Sequence, residues 1–368
     1  MKYYIIAGEK SGDLHAANLM IALKEQDPEA EFRCFGGDMM KQAGGVLVKH
    51  YNEMAFMGFI EVVANLNKVL ANLSLCKSDI ESYQPDVVIL VDYAGFNLKI
   101  AKFTKEKGIK TFYYISPKIW AWNQKRAFKI KKYVDKMFVI LPFEEKFYQQ
   151  YDYKVDFVGN PVWDAVSAFK PDANFRQANN LKAKPVIAIL PGSRKQEITA
   201  NLHQMVELVR HFPQFDFVVA AVTDFPSDFF STEQFPNLKI IFGKTYDVLA
   251  CSHAAIVTSG TATLETALFK VPQVVCYKIN ALSWIIAKML VKVKYISLVN
   301  LLADKQVVKE LLQDDFNTDK LVAELNLLAR DNNYRAEQVK AYEEIAAQLS
   351  KHKASNRTAE LIVSYLKG

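Results

Sequence analysis

Short apolar, β-branched runs recur along this chain, each followed by a longer stretch with helical periodicity. This alternation constrains the fold more than any other feature, because strands buried on both faces and joined by crossover helices build parallel sheets. In the first half the strand candidates are Tyr3–Ala7, Phe32–Phe35, Val87–Val91, Thr111–Ile115, Lys136–Ile140 and Val155–Val158, with helical patterns such as Leu14–Glu25 and Phe96–Lys107 between them. From Pro161 to Lys184 the pattern loosens into polar, Pro- and Asn-containing sequence that reads as an interdomain linker. A second series follows at Pro185–Leu190, Asp216–Ala221, Leu238–Phe242, Ala254–Val257 and Gln273–Tyr277. With 368 residues, 51% of them hydrophobic, the chain has material for two α/β domains of about 150–180 residues each. Two doubly wound halves are expected to hold a ligand in the cleft between them, at the carboxyl ends of the strands.

Several function classes lose ground at once. The four cysteines, Cys34, Cys76, Cys251 and Cys276, are scattered without CxxC spacing, which argues against a zinc site or a disulfide framework and for a reducing cytosol. The apolar run at Tyr3–Ala7 is too short for a signal peptide, and no window offers ~20 uninterrupted apolar residues to span a bilayer. A net charge of +6 suits an anionic substrate or an anionic membrane surface and is weak support for nucleic acid. His15, His50, His203, His211, His253 and His352 form no metal pattern, and no Asp-x-Asp pair stands at a strand end. Neither a metal nor a cofactor is expected.

Five motifs carry candidate chemistry. In Val186–Arg194 a buried strand ends in Pro191-Gly192-Ser193-Arg194 before a helix; free N–H groups at the helix start, the Ser193 hydroxyl and the Arg194 fork suit a diphosphate. In Ala254–Glu265 a strand runs into Ser259-Gly260-Thr261-Ala262-Thr263-Leu264-Glu265. Small residues there let phosphate approach the backbone, and Thr261 and Thr263 add donors. Glu265 either accepts ribose hydroxyls or caps the helix. Together the pair reads as a nucleotide-sugar site. Ala7-Gly8-Glu9-Lys10-Ser11-Gly12-Asp13 is neither GxGxxG nor a P-loop, so Gly8, Ser11 and Gly12 form either a structural turn or a substrate loop.

Asp92 follows the run Val87–Val91 in PDVVILVDYAGFN, so it emerges at the carboxyl edge of a buried strand, where desolvation suits a general base. The alternative is a capping carboxylate, with Asn97 as a second cap candidate. Ser116–Arg126 (SPKIWAWNQKR) sets two tryptophans among basic residues. They either stack on ligands, anchor at a lipid interface, or fill the core beneath snorkelling lysines. Two apolar segments, Met54–Leu70 and Trp284–Lys294, read either as ordinary amphipathic helices or as surface helices entering a headgroup layer.

In this order the motifs resemble the lipid-A-disaccharide synthase family over essentially the whole chain: AGEKSGD, FMGFIEVV, VDYAGFN, SPKIWAWNQKR, LPFE, PGSRKQE, SGTATLE and KYISLVNLLADKQVVKELLQ. The resemblance implies a GT-B fold and transfer of a 2,3-diacylglucosaminyl unit from its UDP derivative to 2,3-diacylglucosamine 1-phosphate, giving a β(1→6) disaccharide and UDP at the inner membrane face. It implies inversion with one base and no covalent intermediate, peripheral association with the inner membrane from the cytoplasm, and in some members dimers that exchange carboxyl-terminal domains. Position by position, Asp92 matches the essential aspartate and Arg194 the essential arginine of PGSR. Ser193, Ser259, Thr261, Glu265 and Asn300 match the donor pocket, to which the motifs themselves add Gly192, Gly260 and Thr263, and Phe56, Met57, Ile60, Val63 and Leu66 match the segment that meets acyl chains.

The expected division is an acceptor domain at 1–165, a UDP-sugar domain at 166–344, and a last helix, about 345–368, packing back on the first domain. Two positions depart from the family pattern: Gly95 stands where a second acid is common, and Val299 where Pro is common. The first leaves Asp92 as the lone candidate base. The rival chemistry is a hydrolysing UDP-N-acetylglucosamine 2-epimerase, and the rival class a non-catalytic membrane-binding protein.

Overall fold

A computed structural model describes residues 1–54, 66–181, 184–230, 235–280, 284 and 293–368. It divides into two compact units, Met1–Pro161 with Lys351–Gly368, and Val162–Ser350.

The first unit is built on the strands β1 (Lys2–Ala7), β2 (Glu31–Gly36), β3 (Val46–His50), β4 (Val87–Val91), β5 (Lys110–Tyr114), β6 (Lys136–Val139) and β7 (Asp156–Phe157). They pair in the order β3-β2-β1-β4-β5-β6-β7, every pair parallel. One face of the sheet carries Tyr3, Ile5, Val87, Ile89 and Phe112, packed beneath Ala16, Leu19, Met20 and Leu23 of the helix Lys10–Gln26. The final helix, Ala354–Lys367, adds Ala359, Ile362 and Val363 to that layer. Its Tyr365 stacks on Phe138 and donates to Asp156 Oδ2 at 3.0 Å.

The second unit carries β8 (Val186–Leu190), β9 (Asp216–Ala221), β10 (Leu238–Phe242), β11 (Ser252–Thr258), β12 (Gln273–Tyr277) and β13 (Lys309–Leu312), ordered β10-β9-β8-β11-β12-β13 and again all parallel. Side chains alternate between two buried layers: Ile187 and Ile189 on one, Val186, Ala188 and Leu190 on the other. In each unit the strand order reverses beside the first strand, at β1/β4 and at β8/β11. Open parallel sheets bind ligands at the carboxyl ends of the strands flanking such a reversal.

Two strands escape the sequence pattern. β3 and β13 are edge strands whose residues are mostly half-exposed and include lysines, so they lack the apolar run of a central strand. The stretch read as a linker is instead structured, with helices at Pro161–Ala168 and Phe175–Ala178. Phe175 and Leu181 are buried in the second unit's core, and the Asp172 N–H donates to Asp247 Oδ1 at 2.9 Å. Polar composition there reflects a chain lying on its own domain. All four cysteines are free thiols. No helix among the described residues is long and apolar enough to cross a membrane.

Candidate active site

Ala7 and Val91 are register partners, so the loops after β1 and β4 leave adjacent strands side by side. β4 is fully buried, and Asp92 is the first exposed residue beyond it. The burial expected to desolvate this carboxylate is therefore not supplied by the first unit. What the fold does supply is an unusual backbone. Asp92 and Tyr93 have φ of +45° and +50°, a region costing L-residues about 1–2 kcal/mol each. The Asp92 carbonyl accepts from Asn97 Nδ2 at 2.7 Å and from the Tyr113 hydroxyl, and both partners are fully buried. Asn97 lies within the helix Ala94–Glu106, so it ties the preceding loop down from inside and is not the helix cap.

The same conformation lays the Tyr93 ring over Gly8, where a Cβ would fall 2.2 Å from Tyr93 Cγ. Gly8 thus has a steric reason to be glycine. Ser11 is exposed in the first turn of the helix Lys10–Gln26, and a Cβ on Gly12 would sit 3.3 Å from that of Ala7. Asp13, at the motif's end, is buried and accepts the N–H groups of Gly37, Met39 and Met40 at 2.8, 3.1 and 3.1 Å. Much of the glycine-rich motif is therefore architecture.

The tryptophans separate. Trp120 is buried and donates to Glu144 Oε1 at 3.2 Å, while Trp122 is exposed with the Arg126 guanidinium 4.7 Å from its ring centre. Glu144 of LPFE also accepts the Leu141 N–H at 3.0 Å, and its burial pushes the carboxyl up to about 7. Of the acyl-contact candidates, Phe56, Met57, Ile60 and Val63 lie outside the described residues. Leu66 opens the helix Leu66–Tyr83 and is exposed, as is Leu70 one turn on.

In the second unit Val257 pairs with Leu190, so SGTATLE and PGSR leave neighbouring strands. Gly192 has φ +115°, and a Cβ there would meet Glu197 at 2.7 Å. The N–H groups expected to be free are not: Ser193 and Arg194 donate theirs to Glu197 Oε2 at 3.1 and 3.3 Å. Arg194 Nη1 lies 3.3 Å from Glu197 Oε1, and its side chain is 55% exposed, enough to engage a ligand. Tyr277, ending β12, is half-buried; burial raises its phenol, the Glu197 charge adds to that, and Arg194 opposes it.

The SGTATLE side chains split between surface and interior. Thr261 is exposed, and a Cβ on Gly260 would meet nothing within 4 Å, leaving open space above the helix start. Thr263 is fully buried with its hydroxyl donated to the Gly260 carbonyl at 2.8 Å, so it braces the turn from behind. Ser259 donates to the Ile296 carbonyl at 3.0 Å. Glu265 accepts from Tyr246 at 2.8 Å, and burial raises its carboxyl against that hydrogen bond. Asn300 is saturated: its Nδ2 reaches Val308 O and Glu310 Oε1, and its Oδ1 accepts from Val307 and Val308. All four positions of the amide are used. From the helix Leu298–Ala303 the Asn300 side chain holds Val307, Val308 and Glu310, and Glu310 in turn accepts the N–H groups of Ile296 and Ser297 just before that helix.

Sequence reasoning missed Tyr113, Glu197, Tyr246 and Glu310. Only Glu197 had a local signal, a Glu three residues into a helix. The others act across strands. Among the described residues no cluster of His, Cys, Asp or Glu is arranged to hold a metal ion.

A family model, lipid-A-disaccharide synthetase, matches residues 3–364. The chain belongs to the lipid-A-disaccharide synthase family. It is therefore a glycosyltransferase of lipid A biosynthesis, and its two parallel-sheet units have the GT-B fold. The lipid-A-disaccharide synthase of Syntrophus aciditrophicus is 41% identical over 330 residues, covering 87% of this chain and 86% of that protein. The synthase of Coxiella burnetii is 36% identical over 363 residues, covering 97% and 96%. Among solved structures, UDP-GlcNAc 2-epimerase from Neisseria meningitidis bound to UDP-GlcNAc aligns with a TM-score of 0.68 at 13% identity over 100% of both chains. A calicheamicin glycosyltransferase aligns at 0.63 with 14% identity, covering 99% and 98%. At such identity these likenesses establish the fold alone, which synthases and epimerases share.

Proposed function

We propose that this glycosyltransferase joins UDP-2,3-diacylglucosamine to 2,3-diacylglucosamine 1-phosphate by single, inverting displacement. Asp92 takes the proton from the acceptor's 6-hydroxyl as its oxygen attacks the donor's anomeric carbon. The bond to UDP breaks, and Arg194 with the Gly260–Thr261 helix start offsets the charge gathering on the leaving diphosphate. Glu265, oriented by Tyr246, accepts from the ribose. Thr263, Ser259 and Asn300 shape the donor loops from within.

One observation carries the proposal: in a member of this family, an exposed carboxylate is fixed in a costly backbone conformation at the strand-order reversal of the first sheet. Stored strain of this kind marks functional positions. Leu66 and Leu70, exposed on one face where the apolar segment ends, support an acyl- or membrane-contacting surface at the inner-membrane face.

Purified enzyme supplied with both lipid substrates should release UDP and form a β-linked disaccharide 1-phosphate, followed by mass spectrometry and the anomeric proton coupling. Asp92→Asn should lower turnover about 10²–10⁴-fold and leave UDP binding intact, while Arg194→Ala should weaken UDP binding. Full activity on UDP-N-acetylglucosamine without lipid would overturn the reading in favour of an epimerase.

A further inference from the structure

We propose that Asn97 and Tyr113 are positioning residues for Asp92, a two-donor clamp on its backbone carbonyl that sets where its carboxylate points. The inference rests on the reading of Asp92 as the base. Three observations carry it. Asp92 and Tyr93 are consecutive non-glycine residues at positive φ, so the chain would relax toward the extended region without an opposing force. Both clamping groups come from different elements, Asn97 from the helix after the loop and Tyr113 from the neighbouring strand β5, and both are fully buried. Asn97 Nδ2 also reaches the Val91 carbonyl at 3.2 Å, so one amide bridges the last strand residue and the first loop residue.

The clamp determines direction. In a strand, successive side chains alternate faces, so relaxation of Asp92 would re-aim its carboxylate. The Asp92 N–H, donated to Tyr114 O at 3.2 Å, keeps the residue's position along the edge. Burial, and then the nearby Asp92 charge, raise the Tyr113 phenol well above its ordinary value, so the hydroxyl stays protonated and available as a donor.

The test is a double-mutant cycle on the full chain, with turnover, donor KM and melting temperature measured for Tyr113→Phe, Asn97→Ala, Asp92→Ala and the two doubles carrying Asp92→Ala. Tyr113→Phe keeps the ring and removes only the hydroxyl, so it remains informative where Asn97→Ala loosens the fold. A misdirected base is expected to lower kcat about tenfold, with donor KM within about twofold. In the Asp92→Ala background, measured by single turnover, the same changes should cost less than about twofold, because there is no carboxylate left to aim. An undiminished loss in that background overturns the clamp and leaves Asp92 as base. Wild-type turnover by Asp92→Ala overturns the base assignment, and the clamp with it.

Discussion

Glu197 turns back on Arg194: one carboxylate oxygen accepts the arginine's backbone N–H at 3.3 Å while the other lies 3.3 Å from its guanidinium. An internal anion thus occupies the amides and part of the side chain offered to a diphosphate. The helix Lys195–Val206 behind it favours negative charge at this end whether that charge is Glu197 or a ligand.

Removing that competitor should strengthen nucleotide binding. Glu197→Gln is expected to bind UDP about three- to fivefold more tightly at low ionic strength, the scale of a partly exposed charge interaction near 1 kcal/mol. Titration calorimetry at two salt concentrations checks it, and the gain should shrink in high salt. Weaker binding by this variant would mean the carboxylate chiefly organises the loop.

Glu144 should make stability pH-dependent. Its folded-state carboxyl lies near 7, above the ordinary value of 4.5, because of burial. A raised acid favours the folded state fully below pH 4.5, and that contribution is lost as pH rises toward 7. The whole effect is roughly 3 kcal/mol. Glu144→Gln should flatten the fall in melting temperature between pH 5 and 7, about the interval set by those two values. Parallel pH profiles of the two proteins that superimpose in slope would refute this.

Gly95 has no steric need to be glycine. It sits in the first turn of its helix, outside the left-handed region, and a Cβ there meets nothing within 4 Å. Gly95→Ala should therefore stabilise by about 0.5–1 kcal/mol through the unfolded chain. Gly95→Asp should fold equally well and, if Asp92 is the sole base as proposed, leave turnover unchanged. A rate increase would reveal that a second acid assists the reaction.

Asn300→Ala should destabilise the second unit by about 2–3 kcal/mol, because it removes the acceptor of the Val307 and Val308 N–H groups and the donor to Val308 O, while Glu310 keeps its bonds to Ile296 and Ser297. UDP binding should weaken in step with the lost stability, as read by calorimetry beside thermal unfolding. Weakened binding at an unchanged melting temperature would point to a direct contact between Asn300 and the donor.

The parallel-sheet architecture was legible because central strands such as Val87–Val91 and Val186–Leu190 are buried on both faces and must be apolar throughout. Positions of Asp92, PGSR and SGTATLE at strand ends followed from the same runs, since a polar or glycine-rich break in an apolar run marks where the chain leaves the core. The edge strands β3 and β13 were missed, although β10, an edge strand equally half-buried, was legible at Leu238–Phe242. Which polar side chains face outward was decided by tertiary structure alone. Thr261 and Thr263 look equivalent in sequence, yet one is exposed and the other sealed against Gly260 O. Asn300 is saturated by β13 and its approach, and Asp92 is held by a tyrosine one strand away. Sequence determined where the chain must turn, because burial dictates apolar runs. The tertiary structure decided which donors and acceptors are spent inside, because hydrogen-bond partners are met only across the fold.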